Sequence, residues 1–159
     1  MTHQDHHPRG AAPVGLLDRM DPWEARLVAN LRLWCEGPRM QARVRRDYDV
    51  LCAGRGAEEY EAFDRLIATL IGASYRPLAR HSVGCTCLGA DEAIFANFVR
   101  TASEGHLTDA ALIATLITGP ARAEYIALLA GQVGETLRRG CAGRHPATPA
   151  RAENGLRLH

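Results

Sequence analysis

The sequence predicts an all-α protein, a compact bundle of about five or six short helices with one long ordered loop near residues 74–90 and flexible termini. Aromatic residues make up only 6% of the chain although 47% of it is hydrophobic, so aliphatic side chains must form the core, which favours packed helices. Apolar residues recur at helical spacing in segment after segment, and no segment alternates as a half-buried strand does.

The length of 159 residues is typical of one domain. Residues 1–14 are polar and rich in His, Pro and Gly, and residues 140–159 carry Gly, Pro and Arg without periodicity. We therefore expect flexible tails over 1–14 and 140–159, which flank a single helical domain over 15–139.

The first helix has a clear start and stop. Asp21 is a candidate N-cap, Pro22 suits the first helical position, and Glu24 stands at the capping-box position. The Gly37–Pro38 pair ends the helix. Its predicted inward stripe is Trp23, Leu27, Leu31 and Trp34.

The second and third helices are predicted over 39–53 and 57–72, and glycines separate them. The predicted inward residues of the second helix are Met40, Val44, Tyr48 and Leu51. Those of the third helix are Tyr60, Phe63, Ile67, Leu70 and Ile71.

Three more helices follow the 74–90 segment. Asp91 is the predicted cap of the fourth helix, Thr108 starts the fifth, and the sixth covers about 121–138. The predicted inward residues of the fourth and fifth helices are Ile94, Phe95, Phe98, Val99, Leu112, Ile113, Leu116 and Ile117. Those of the sixth are Ile126, Leu129, Val133 and Leu137, with Gly131 and Gly134 permitting close helix contact.

Composition excludes several function classes. All 19 basic residues are Arg, as a GC-rich bacterial genome would encode, and Schiff-base enzymes and P-loop NTPases each need a Lys. The few serines lie outside any G-x-S-x-G motif, which argues against a serine hydrolase. With 18 acidic residues the net charge is +1, so charge gives no support for nucleic-acid binding.

The sequence also predicts a cytoplasmic protein. It contains no apolar run long enough to cross a membrane, and its N-terminal residues lack the features of a signal peptide. Five cysteines, an odd number, argue against a disulfide framework and favour free, metal-binding or redox-active thiols.

The strongest chemical signal is the cluster of His81, Cys85 and Cys87. Zinc and iron both accept Cys sulfur and His nitrogen, so these three residues predict a metal site, with zinc preferred and iron as an alternative. A structural zinc site needs a fourth ligand. The candidates for it are Cys35, Cys52, Asp91, Glu92 and His106.

Two alternatives remain open for the same cluster. Cys85 and Cys87 precede a predicted helix N-terminus, which stabilises thiolates, so they could form a thiol-based oxidoreductase or redox sensor. The other alternative is a metal-free helical interaction module in which the cysteines are ordinary buried residues.

The sequence thus favours a non-enzymatic, regulatory or accessory function. In this hypothesis a zinc ion orders the 74–90 loop and shapes a surface for a protein partner. A homodimer is an option, whereas a membrane or nucleic-acid partner is not favoured.

Overall fold

The computed structural model describes residues 9–142 and contains a helical bundle with one small sheet. The helices are α1 (Pro22–Cys35), α2 (Pro38–Leu51), α3 (Ala57–Ala73), α4 (Ala90–Ser103), α5 (Leu107–Thr118) and α6 (Pro120–Ala142). The strands are β1 (Pro13–Leu16) and β2 (Cys87–Gly89). The predicted all-α bundle with an ordered 74–90 loop is therefore confirmed.

Helix α6 lies at the centre of the bundle. It packs against α5, α4, α3 and α1, so nearly every other helix buries its apolar stripe against it. Leu27, Phe63, Phe98, Ile126 and Leu137 all belong to this core and are fully buried. Burial of such side chains is the main favourable term in folding.

The sheet was not anticipated from the sequence. Strands β1 and β2 pair antiparallel, with Gly15 opposite Leu88 and Leu16 opposite Cys87. All four residues of β1 are exposed, so the strand carries no alternation of apolar and polar residues to reveal it.

The domain begins earlier than the sequence predicts. Residues 9–14, which fall inside the predicted tail of residues 1–14, are ordered: Arg9–Ala11 form a 3-10 turn and the amide of Ala90 donates to the carbonyl of Ala12 at 3.0 Å. At the other end α6 continues to Ala142. The remaining parts of the two predicted tails, 1–8 and 143–159, lie outside the described residues.

The predicted capping box at the start of α1 is wrong. The side chain of Asp21 caps no backbone amide. Glu24 instead accepts hydrogen bonds from Arg100 of α4, at 2.8 and 2.6 Å. The Glu24 carboxylate, which the sequence spacing assigned to the start of α1, is therefore bound by a residue of another helix.

The predicted inward face of α5 is also partly wrong. Leu112 and Leu116 are 62% and 81% exposed. The residues buried on this helix are small: Ala110, Ala114 and Thr118. Since α5 packs closely on α6, the smallest side chains occupy the contact and the leucines face outward. Ile71 of α3 and Ile94 of α4, also predicted inward, are exposed as well.

Two glycines of α6 allow the neighbouring helix to approach, as the sequence predicts. A Cβ atom on Gly134 would lie 2.6 Å from the Cβ of Ser103 on α4, and one on Gly131 would lie 3.3 Å from the carbonyl oxygen of Ala102. The first distance is far inside van der Waals contact.

We expect Gly134→Ala to lower the free energy of unfolding by about 1–3 kcal/mol, because the added methyl group overpacks the contact between α4 and α6. Gly72 of α3 is the matched control, since a Cβ there meets no atom within 4 Å. Gly72→Ala should stabilise by about 0.4–1 kcal/mol. Urea denaturation measures both changes, and a stabilising Gly134→Ala would contradict the packing described here.

Candidate functional site

The site is built on an ion pair between α1 and α4. Nε of Arg32 lies 2.7 Å from Oε1 of Glu92, and its Nη2 lies 2.9 Å from Oε2. Both residues are fully buried. A bidentate pair of this kind fixes the orientation of both groups.

The guanidinium of Arg32 also holds the loop that contains the cysteines. Its Nη1 donates to the carbonyl oxygens of Cys85 at 2.6 Å and Ser82 at 3.3 Å, and its Nη2 donates to that of Cys87 at 2.6 Å. Together with Glu92 these acceptors use every N–H of the guanidinium. Arg32 is therefore a buried cation without an unmet hydrogen bond.

Glu92 is satisfied in the same way. Beyond Arg32, it accepts hydrogen bonds from the backbone amides of His81 at 3.1 Å and Gly89 at 2.9 Å. Gly89, and not the predicted Asp91, is the N-cap of α4, so Glu92 stands at the third position of that helix. One carboxylate thus joins the helix start to the loop and to α1.

The pair remains charged in spite of its burial. Burial by itself raises the pKa of Glu92, but the hydrogen bonds from Arg32, Gly89 and His81 outweigh it and leave that pKa lowered. The hydrogen bond with Glu92 raises the pKa of Arg32 against the opposing effect of desolvation.

Asp91 provides a second anchor for the loop. It accepts two hydrogen bonds of 2.7 Å from Arg76 and one of 2.8 Å from the amide of Ala79. The Arg76 hydrogen bond lowers the pKa of Asp91 and outweighs burial, which alone would raise it. Neighbouring carboxylates on α4 therefore hold separate parts of the loop by protein contacts alone.

The imidazole of His81 has a fixed orientation. Its Nε2 lies 2.8 Å from the carbonyl oxygen of Ala11, and because a carbonyl only accepts, Nε2 must carry the hydrogen. The lone pair of Nδ1 then faces Cys85, whose Sγ lies 3.6 Å away. This arrangement is a thiol beside a basic nitrogen, with a third group that orients the ring.

Cys87 follows Cys85 by two residues and is the first residue of β2. The Cys85 side chain raises the pKa of Cys87, first as its hydrogen-bond partner and then through its charge. Desolvation adds to this rise, and the charge of Arg32 opposes it. The pKa of Cys87 therefore lies above that of an ordinary thiol.

The structure thus brings the thiol of Cys85 next to the imidazole of His81, and Cys87 follows two residues later as the first residue of β2. Within residues 9–142, however, no group of three or more His, Cys, Asp or Glu side chains is arranged to hold a metal ion. Asp91 and Glu92 are engaged by arginines.

The other candidates for a fourth ligand belong to no metal-holding group within the described residues either. Cys52 borders a cleft with Glu59, Thr136 and Arg139, and His106 is the N-cap of α5. Cys35 ends α1 and its carbonyl is reached by Arg80. The predicted metal site remains a prediction.

Sequence reasoning missed Arg32, the residue that organises the site. The apolar pattern of α1 predicts that a charged residue such as Arg32 faces solvent. In the structure, however, α1 is buried on two sides. Val28, one turn before Arg32, packs with Leu88 and Ala96 in a second apolar cluster. Apolar residues outside the main stripe of α1 were the available signal that this helix has a second buried face.

Comparisons with protein-family models, with curated proteins and with solved structures found no match to this chain. None of the described helices combines the length and apolar character needed to span a membrane.

We expect Arg32→Met to destabilise the fold by about 3–5 kcal/mol, because it leaves Glu92 buried without a cation. Arg32→Met/Glu92→Met should cost less than the sum of the single variants, since it removes both charges together. Even so, the double variant should not restore the loop, because the carbonyls of Cys85 and Cys87 stay unpaired. Urea denaturation and the alkylation rate of Cys85 measure these effects, and additive costs would contradict the coupling.

Acid should weaken the anchor at Asp91. Because folding lowers the pKa of Asp91, its stabilisation is complete above the unfolded pKa of about 3.9 and is lost as the pH falls through the folded value. Asp91→Asn should therefore show a smaller loss of unfolding free energy between neutral pH and about pH 3 than the wild type does. Asp18→Asn is the control and should follow the wild-type curve, because Asp18 is exposed and lies outside the α-helices.

Proposed function

We propose that this chain is a thiol-based redox protein whose Cys85–Cys87 pair cycles between dithiol and disulfide. The observation that carries the proposal is the 3.6 Å contact between Cys85 Sγ and His81 Nδ1, and Cys87 supplies a second thiol two residues along the chain. Nucleophilic thiols are activated by an adjacent base that a third group holds in place.

His81 acts as the base for Cys85. Its Nε2–H is committed to the carbonyl of Ala11, so Nδ1 is the atom that accepts the thiol proton. Proton transfer gives a thiolate and an imidazolium in contact, and each stabilises the other by charge. Cys85 is the nucleophile.

A peroxide is the oxidant class that this arrangement suits. The Cys85 thiolate attacks one peroxide oxygen, the O–O bond breaks, and the imidazolium of His81 protonates the leaving oxygen. Cys85 becomes a sulfenic acid. The sulfur of Cys87 then attacks the sulfenic sulfur, and water leaves with the Cys87 proton as the disulfide forms. The two thiols supply the two electrons, and a dithiol reductant restores them by exchange.

The order of these steps follows from the surroundings of the two thiols. Cys85 lies beside the base His81, whereas the pKa of Cys87 is raised by Cys85. Cys85 is therefore the thiol that reacts first, and Cys87 is the thiol that resolves the sulfenic acid.

The position of the cysteines suits contact with other molecules. Both side chains are partly exposed, while their carbonyls are tied to the buried Arg32. We infer a regulatory or accessory role in a reducing compartment such as the bacterial cytoplasm, with a thiol-bearing protein as the partner that reduces the disulfide.

Zinc binding is the second candidate. Two ligands on one tetrahedral zinc, at about 2.0–2.1 Å for nitrogen and 2.3 Å for sulfur, stand roughly 3.5 Å apart. The 3.6 Å between Nδ1 of His81 and Sγ of Cys85 fits that spacing. A third bond would require Cys87 to turn its sulfur toward the same point, and iron would use the same donors.

The test uses a chain in which Cys35, Cys52 and Cys141 are replaced by Ser, so that only the pair remains. Stoichiometric peroxide should convert the reduced protein to a form lighter by two hydrogens, which a dithiol reductant reverses. Cys87→Ser should instead accumulate a sulfenic acid on Cys85 that dimedone traps. His81→Ala should slow the oxidation on the order of 100-fold, the loss expected for a positioned base.

Metal analysis of the same protein, purified without oxygen, separates the two candidates. Stoichiometric zinc that protects both thiols from peroxide would favour the metal site. A metal-free protein whose thiols oxidise no faster than free cysteine, with or without His81, would overturn the redox proposal.

A further inference from the structure

An open cavity of about 810 Å³ lies beside the loop, and neither Cys85 nor Cys87 is among the residues that line it. Helices α4 and α5 form two of its walls and the segment 75–78 forms the third. The residues that line it are Tyr75, Arg76, Leu78, Asp91, Ala93, Ile94, Asn97, Ile113, Leu116 and Ile117.

The third wall is fixed at both ends. The amide of Tyr75 donates to the carbonyl of Ile117 at 3.1 Å, and its hydroxyl lies over Gly119, where a side chain would collide with it. At the other end the amide of Ala79 donates to the carboxylate of Asp91 at 2.8 Å, and Arg76 pairs with the same carboxylate. The cavity is therefore preformed, as ligand sites usually are, and its volume lies within their range of about 300–1,000 Å³.

The walls are mainly aliphatic and turned toward solvent. Ile94 and Leu116 are exposed although both line the cavity. Apolar side chains gathered in a concave surface gain free energy when a ligand removes them from water. This is the same face of α5 that the sequence predicts to be buried.

Arg76 gives the cavity one directed polar group. Nη1 and Nη2 hold the carboxylate of Asp91, and Nη1 also donates to the carbonyl of Pro77 at 3.3 Å. Among the described residues nothing accepts from Nε–H or from the second hydrogen of Nη2. Those two N–H groups lie on one edge of the planar guanidinium, and the side chain is 59% exposed.

A guanidinium with one edge held by a buried aspartate and the other edge free is oriented to bind a planar anion. The free edge matches the two oxygens of a carboxylate. Asp91 already supplies one negative charge, so a monoanion suits the arginine better than a doubly charged phosphate does.

We propose that this cavity binds a monocarboxylate with an alkyl chain, a fatty acid or a related apolar acid. The carboxylate lies on the free edge of Arg76, and the chain runs between Ile94 of α4 and Leu116 of α5. The apolar walls supply affinity, and the arginine fixes the orientation of the ligand.

Decanoate is the probe, measured by isothermal titration below its micelle concentration on the full chain. Arg76→Gln should weaken binding by about tenfold or more, the cost of a lost charge-assisted hydrogen bond. Decyltrimethylammonium, which has the same chain and the opposite charge, should bind at least tenfold more weakly than decanoate. Leu116→Glu should abolish binding, because it places a carboxylate on the apolar wall.

Leu112→Glu is the matched control. Leu112 lies one turn earlier on α5 and is also exposed, but it does not line the cavity. This variant should bind decanoate as the wild type does. The Glu variants alter exposed residues, so circular dichroism should show both folded.

Several results would overturn the proposal. Equal affinity for the cationic and anionic probes would show that Arg76 does not bind the ligand. An equal loss of decanoate affinity in Leu112→Glu and Leu116→Glu would show that the ligand does not bind in the cavity. A dimer in sedimentation that Leu116→Glu dissociates and decanoate leaves intact would assign this face to a second copy of the chain.

Discussion

The geometry of the loop depends on one interaction, the buried pair between Arg32 and Glu92. Removing two charges from water is costly, and such a pair is tolerated only when every remaining donor and acceptor is also matched. Here the guanidinium is completed by the carbonyls of Cys85, Cys87 and Ser82, and the carboxylate by two amides. The pair therefore specifies one loop conformation, because any other would leave a buried charge unmatched.

The adjacent carboxylates of Asp91 and Glu92 on α4 hold different halves of the loop. Glu92 holds the half that carries the thiols, and Asp91 holds the half that borders the apolar cavity through Arg76 and Ala79. Since both carboxylates lie in the first turn of α4, the helix dipole supports their negative charge. A short stretch of sequence thus positions both the segment that carries Cys85 and Cys87 and one wall of the apolar cavity at the same end of α4.

The sequence predicted the helices well because their signals are local: periodic apolar residues, and glycines and prolines at the ends. It also located the ordered loop and the His81–Cys85 neighbourhood. The sequence could not predict contacts between residues that lie far apart along the chain. Arg32 and Glu92 are 60 residues apart in the sequence, β1 has no buried face, and the leucines of α5 turn outward because alanines fit the contact with α6. Each outcome is decided by what lies opposite the residue in the folded chain.

The most direct test of the central role of the pair is amide hydrogen exchange at His81 and Gly89, the two backbone donors to Glu92. If the pair holds the loop as part of the core, these amides exchange only through global unfolding, with the same free energy as the buried turns of α4. If they exchange through a local opening several kcal/mol below that value, while α4 stays protected, the loop is ordered by something else.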